Sequence, residues 1–295
     1  SQMNLSLQKK KDSNLKLSVL GITQDGGYPQ ANCIKPCCEQ KWNNIKEQKM
    51  VTSIGIWDEI SKKKWLIEAT PDFKYQINLL NKVSNNNRFL QGVFITHAHV
   101  GHYTGLINFG KEIMDSRGID VYVMPRMKFF LENNAPWSQL VKEKNIILNS
   151  IFHDKVIVLS ESLSLKPVLV PHRDEYSETV GFFIYGPNKK VLFVPDIDKW
   201  HKWDQDICSL IKEVDLAFLD GTFFDAKEFP DRDISKIPHP FISESINLFS
   251  KLSKIDKQKI HFIHFNHTNP VLYKNYYNDL ISDFNLSKQG STFSL

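Results

Sequence analysis

The amino-acid sequence predicts an α/β protein built from two mixed sheets packed together, with helices on their outer faces. Strand-like stretches occur both in adjacent pairs and alternating with helical stretches, a mixture that excludes a simple doubly wound sheet. No internal repeat or Gly/Ser linker interrupts the pattern, so residues 15–295 read as one domain behind a frayed, polar leader at residues 1–14. Across 295 residues, 41% hydrophobic and 12% aromatic content is ample for a buried core.

The first strand is "LKLSVLGIT" (15–23), where apolar and polar residues alternate before a Gly/Pro-punctuated loop, "QDGGYPQANCIKPCC". Further strands are expected at 52–57, 64–70, 92–96, 120–124, 155–159, 165–170, 179–186, 190–195, 215–220 and 259–265, all short and rich in β-branched or aromatic residues. Helices are expected at Pro71–Val83, with proline in the first turn, and at Tyr103–Ser116, Arg126–Asn133, Trp203–Val214, Phe241–Leu252 and Pro270–Phe284.

Charge excludes some classes of function. There are 37 basic and 33 acidic residues, a net charge of +4, and the lysines are dispersed apart from short runs at 9–11 and 62–64. That balance suits a small-molecule substrate rather than nucleic acid, and no apolar run is long enough to span a membrane. A homodimer is compatible with it. No signal peptide is visible and the sequence starts at Ser1, so a cytoplasmic location fits, as does a periplasmic one after removal of a leader. Of four cysteines, Cys33, Cys37 and Cys38 cluster within six residues while Cys208 stands alone, which suggests a metal more than a disulfide framework.

The most informative stretch is "THAHVGHYTGL" (96–106), in which an apolar strand runs directly into His97, His99 and His102. Only ten histidines occur in the chain, so three in six positions point to metal ligation rather than helix capping. A catalytic zinc takes about three protein ligands plus water, so partners must come from elsewhere. His172, Asp196, Asp220 and His264 each stand at the end of an expected strand, where a rigid sheet can aim side chains at one point.

These motifs resemble the metallo-β-lactamase fold, whose first motif is HxHxDH after a strand, followed by a later His, a later Asp and a final His. The blocks "LGITQDGGYPQANC", "IEATPDF", "FVPDID", "LDGTFF" and "HFNHTNPVL" further resemble, in order, the pyrroloquinoline quinone biosynthesis protein B family, with a related likeness to the cyclic phosphodiesterases of the carbon-phosphorus lyase pathway. The likeness spans about residues 16–275. It implies an αββα sandwich, a first metal site of His97, His99 and His172, and a second of His102 and His264, with Asp196 bridging. It also implies a structural zinc held by Cys33, Cys37, Cys38 and His267, spaced C-x3-CC rather than the relatives' usual C-x-C-x2-C.

One position departs from the motif: Gly101 stands where HxHxDH has its aspartate. The second site is therefore expected to be weakened, leaving one tightly bound ion, or to be completed by a neighbour such as Asp174, Glu175, Asp198 or Asp220. Zinc is the expected metal, with iron or manganese as alternatives. Asp196 and His264 are the expected catalytic residues, the first orienting the activated water and the second donating a proton. His239 is a candidate substrate contact, while His153, His201 and His261 carry no expectation beyond surface or packing roles.

The resulting expectation is a metal-dependent hydrolase of a small phosphodiester, cyclic phosphate, lactone or related ester. Two alternatives stand beside it: a metal-dependent, oxygen-using step in quinone-cofactor maturation, and a non-catalytic, metal-stabilised binding protein. Antibiotic hydrolysis is not expected, because the resemblance lies outside the β-lactamase branch. Near-neutral charge also argues against a nuclease.

Overall fold

The computed structural model describes residues 12–275 and 279–295. Strands β1 (Leu15–Gly21), β2 (Ser53–Asp58), β3 (Lys64–Ile67), β4 (Gly92–Phe94), β5 (Ile119–Val123) and β6 (Ile146–Ser150) form one sheet in sequential order. The second sheet contains β7 (Ile157–Val158), β8 (Ser164–Leu169), β9 (Val180–Tyr185), β10 (Lys190–Val194), β11 (Leu216–Asp220), β12 (Ile260–Ile263) and β13 (Asn285–Leu286), again in sequential order. The last strand, β14 (Thr292–Ser294), returns to pair with β1 and closes the edge of the first sheet.

Period-two alternation decides which face of each strand is inner. Leu15, Leu17 and Val19 of β1, Ile54 and Ile56 of β2, and Trp65 and Ile67 of β3 join Leu165, Phe182, Phe193 and Phe218 of the second sheet in the main core between the sheets. Leu20, Trp57, Leu66 and Val93 point the other way, into a second apolar layer. That layer is completed by α1 (Phe73–Ser84), α3 (Pro125–Asn133) and α4 (Trp137–Lys142), through Phe73, Leu80, Met127, Leu131 and Leu140. On the second sheet α5 (Ile207–Glu213) and α6 (Ile242–Leu248) supply Ile207, Ile211 and Ile242. The two mixed sheets with flanking helices agree with the expected αββα sandwich.

Several expected boundaries shift for identifiable reasons. The helix expected at Tyr103–Ser116 is instead a short α2 (Val100–Tyr103) followed by a 3-10 turn, Thr104–Phe109. The Ala69 amide donates to the His102 carbonyl, and the Gly105 amide donates to the Ala69 carbonyl, so the neighbouring loop draws both groups off the helical ladder. The helix expected to begin at Trp203 begins at Ile207, because the Asp206 carboxylate caps it by accepting from the amides of Cys208 and Ser209. The helix expected at Pro270–Phe284 is a 3-10 turn over Pro270–Leu272, with further turns from 279 up to β13; residues 276–278 lie outside the described set. Two short helices were not legible in advance: α4, and α7 (Lys254–Gln258) with its Ser253 cap.

Among the described residues no helix is long and apolar enough to cross a membrane. β1, β3 and β4 run in one direction in the first sheet, and β8, β10, β11 and β12 do so in the second. His97, His172, Asp196, Asp220 and His264 lie at or just past their C-terminal ends. A bridge between Thr23 and Phe265, and the Val180 amide donating to the Thr96 carbonyl at 3.1 Å, tie the two sets of ends together.

Candidate metal centre

At these strand ends the side chains of His97, His99, His172 and Asp196 converge, with one donor atom from each within 4.8 Å of the others. His97 Nε2 lies 2.9 Å from His99 Nδ1 and 3.3 Å from Asp196 Oδ2, and His172 Nε2 lies 3.1 Å from Asp196 Oδ1. His99 thus offers Nδ1 inward, while its Nε2 is held by Glu175 at 2.9 Å. Asp196 Oδ2 is also 3.5 Å from His102 Nε2 and 3.9 Å from His264 Nε2, so this one carboxylate stands between two groups of imidazoles.

Several of these atoms are buried yet lack a hydrogen-bond partner: His172 Nδ1 and Nε2, His102 Nε2, His264 Nε2 and Asp196 Oδ1. Orphaned polar atoms carry a desolvation cost of about 1–3 kcal/mol each, so such a concentration at one point calls for a shared partner. Divalent cations held by the two groups would satisfy one nitrogen of each imidazole and the carboxylate, and a set of imidazoles and carboxylates suits zinc, iron or manganese.

A supporting layer of hydrogen bonds orients the donors. Buried Glu68, which follows β3 with a φ of +75°, accepts from the Thr96 amide and hydroxyl, each at 2.8 Å, and makes a short contact with His102 Nδ1. This fixes the ring so that Nε2 faces inward. Thr222 Oγ1 contacts His264 Nδ1 at 2.8 Å and donates to Asp220, which also accepts from the amides of Ile197 and Thr222. His239 Nδ1 lies 2.8 Å from Asp220 Oδ2 and 3.4 Å from Asp196 Oδ1, so His239 sits within the centre rather than at a surface turn.

Electrostatics follow the burial pattern. Burial, with His102 beside it, holds His97 well below the usual imidazole range. Burial acts in the same sense on His102, but the carboxylates of Glu68 and Asp25 outweigh it and raise that ring well above the usual imidazole range. Burial alone would raise Asp196; the imidazoles of His172 and His264 bring it well below the usual carboxylate range. His239 is raised because Asp220, with Asp196 and Asp25 further off, overcomes its desolvation.

The position opposite Gly101 is filled from an unexpected direction. Asp25, in the loop after β1, places Oδ1 3.4 Å from His102 Nε2 and 3.5 Å from His264 Nε2. The four carboxylates expected to compensate have other contacts: Glu175 holds His99, Asp174 lies by Arg126, Asp198 pairs with Lys202, and Asp220, which groups with Asp196 and His239, anchors Thr222 and His239. The "QDGG" segment signalled only a turn, and contact between positions 25 and 101 is set by the sheet rather than by spacing along the chain.

The second cluster gathers Cys33, Cys37, Cys38 and His267 as the sequence suggested. Sγ–Sγ separations are 3.8 Å for Cys33–Cys37 and 3.5 Å for Cys37–Cys38, and His267 Nδ1 lies 3.8 and 3.3 Å from Cys37 and Cys38. A tetrahedral zinc–thiolate site with bonds of roughly 2.3 Å has edges of about 3.8 Å, close to these values. Burial pushes the Cys37 thiol up to about 12, so a cation is needed to make it a ligand. Tyr28 and Trp42 brace the loop by donating to the carbonyls of Cys37 and Cys33 at 2.7 and 2.9 Å.

Comparison with known proteins gives a consistent picture. Residues 63–265 match the family described as a β-lactamase superfamily domain. The coenzyme PQQ synthesis protein B of Methylorubrum extorquens AM1 is 23% identical over 282 residues, covering 88% of this chain and 92% of that protein. Its counterpart in Acinetobacter baylyi is 24% identical over 286 residues, covering 87% and 91%. Among solved structures, zinc-bound PqqB from Methylobacterium extorquens superposes with a TM-score of 0.79 at 20% identity, over 95% of this chain and all of that one. A diphosphatase from the PhnP family gives 0.70 at 18% identity, over 95% and 97%.

Proposed function

The chain belongs to the β-lactamase superfamily, and from that premise we propose that it is a metal-dependent hydrolase of a small phosphodiester, cyclic phosphate, lactone or related ester. The observation that carries this reading is the convergence of His97, His99, His172 and Asp196 around orphaned buried donor atoms. A divalent cation held there lowers the pKa of a coordinated water toward about 7 and polarises the scissile group.

The chain's own residues supply the rest. Asp196, between the two groups of imidazoles, orients the nucleophilic water. His239, its pKa raised by the Asp220 carboxylate, is placed beside Asp196 and His172 to give a proton to the leaving oxygen. His264, expected from sequence to be the proton donor, has Nδ1 against Thr222 and Nε2 turned inward beside Asp25, an arrangement that favours ligation. Next to the exposed edge of His99, a hollow of about 500 Å3 lined by Arg126, Phe129, Phe130, Glu175 and Tyr176 has the size for a small substrate and a guanidinium for an anionic one.

The test is metal content together with turnover of bis(p-nitrophenyl) phosphate and a lactone panel. The expected result is activity that falls at least about a hundredfold in His97→Ala. His239→Ala should lose about 10²-fold in kcat and lose the high-pH limb of the rate profile, since the acid form of His239 disappears as pH rises through its raised pKa. A fully metal-loaded protein that turns over none of these substrates would sink the hydrolase reading.

Likeness to the PQQ synthesis proteins over 88% of the chain favours a second reading, a metal-dependent step in quinone-cofactor maturation. Oxygen uptake by the iron-loaded protein on a tyrosine-containing peptide would support it, and no uptake with iron or zinc would count against it. Metal loading that raises stability without turnover in either assay would leave the metal-stabilised binding protein.

A further inference from the structure

We propose that Asp25 is the carboxylate donor of a second metal position with His102 and His264, and that residue 101 is glycine because this carboxylate occupies the space a side chain there would take. The inference rests on the metal-centre reading above and assigns a residue outside the expected ligand set.

Three observations converge. His102 Nε2 and His264 Nε2 are buried without hydrogen-bond partners, and Asp25 Oδ1 sits 3.4 and 3.5 Å from them. With Asp196 Oδ2 at 3.5 and 3.9 Å from the same nitrogens, the set is two imidazoles and two carboxylates, a combination that zinc, iron and manganese accept. Separations near 3.5 Å are too long for good hydrogen bonds but suit donors that share a central ion at about 2.1 Å.

The second observation is steric. A Cβ on Gly101 would lie 2.4 Å from Asp25 Cγ, 2.6 Å from its Cα and 2.7 Å from its Cβ. Two of those three atoms belong to the start of the side chain and one to the backbone, so the clash cannot be relieved by rotating a flexible tip. Gly101 is not among the glycines with positive φ, so backbone conformation does not demand it. Its requirement is room for Asp25.

The third is that Asp25 is held in place. The Gly101 amide donates to Asp25 Oδ2 at 2.9 Å, leaving Oδ1 free to face the two imidazoles. The Gln24 amide donates to the Phe265 carbonyl at 2.9 Å, and the Gly27 amide donates to the Gln24 carbonyl at 2.9 Å. The turn carrying Asp25 is thereby pinned to the residue following His264. A carboxylate that in the HxHxDH motif stands one residue before the histidine is here delivered from 76 positions away in sequence.

The test counts zinc ions. Chelator-stripped protein is titrated with zinc by calorimetry and by metal analysis after buffer exchange, comparing wild type with Asp25→Asn and Gly101→Ala. Asp25→Asn keeps an acceptor for the Gly101 amide, so folding, checked by circular dichroism, should survive.

The expected result is one zinc equivalent weakened at least about tenfold in Asp25→Asn, with the remaining equivalents unchanged. Gly101→Ala should weaken the same equivalent, because its Cβ collides with Asp25. Unchanged zinc stoichiometry and affinity in Asp25→Asn would overturn the assignment, as would a Gly101→Ala protein that binds zinc like wild type. Zinc counting does not depend on turnover, so loss of the hydrolase reading would leave this result standing, and the reverse.

Discussion

At the residue scale, the centre shows how a motif is completed by a side chain that its local sequence does not contain. His97, His99 and His102 were legible because three histidines follow an apolar strand within six positions, and strand ends converge. Asp25 was not legible, nor was Glu68, because neither stands in a histidine-rich context and each acts through a contact between distant positions. Glu68 tolerates a φ of +75° and full burial to reach His102 and Thr96, and such strain is sustained where surrounding bonds over-determine it. Glu68→Gln removes the charge that orients His102, and should weaken zinc at the His102–His264 position about 10–100-fold, read by zinc titration, with little change at the thiol cluster.

Elements were legible to the extent that their patterns were local. Alternating strands were placed to within a residue or two in most cases, since the two-residue period leaves little freedom once one face is buried. Helices fared worse where tertiary hydrogen bonds captured their backbone groups, as at His102 and Gly105 beside Ala69, and the short α4 and α7 carry too few turns to announce themselves.

The last strands of the second sheet make a pH prediction. His261 of β12 packs against the rings of Phe218 and Phe293, and burial lowers its pKa from 6.5 to about 4. The folded state therefore keeps His261 neutral while the unfolded chain protonates it below pH 6.5. Stability should be complete above that value and decline as pH falls toward 4, by about 1–3 kcal/mol from this residue. His261→Phe should flatten that part of the pH–stability curve in urea melts, without altering metal content.

At the scale of the whole molecule, the sandwich was predictable from the mixture of adjacent and alternating strands, and the structure places seven strands in each sheet among the described residues. The closing strand β14 was not predictable from its three residues, because its pairing with β1 joins the two ends of the described chain. The thiol cluster works at this scale too, since it joins the loop after the first strand to the end of β12. Cys37→Ala should release one zinc and lower the unfolding free energy by at least about 2 kcal/mol, measured by denaturant titration with and without chelator. An unchanged melt in chelator would rule out a structural ion there.

The loop between β1 and Cys38 carries Asp25 near one end and three thiols near the other, while His264 and His267 stand three residues apart on the facing segment. The same two segments, already side by side through the Thr23–Phe265 bridge, thus contribute to both clusters. With metal in each, the pair would be fastened twice along one seam, once through thiols and once through a carboxylate.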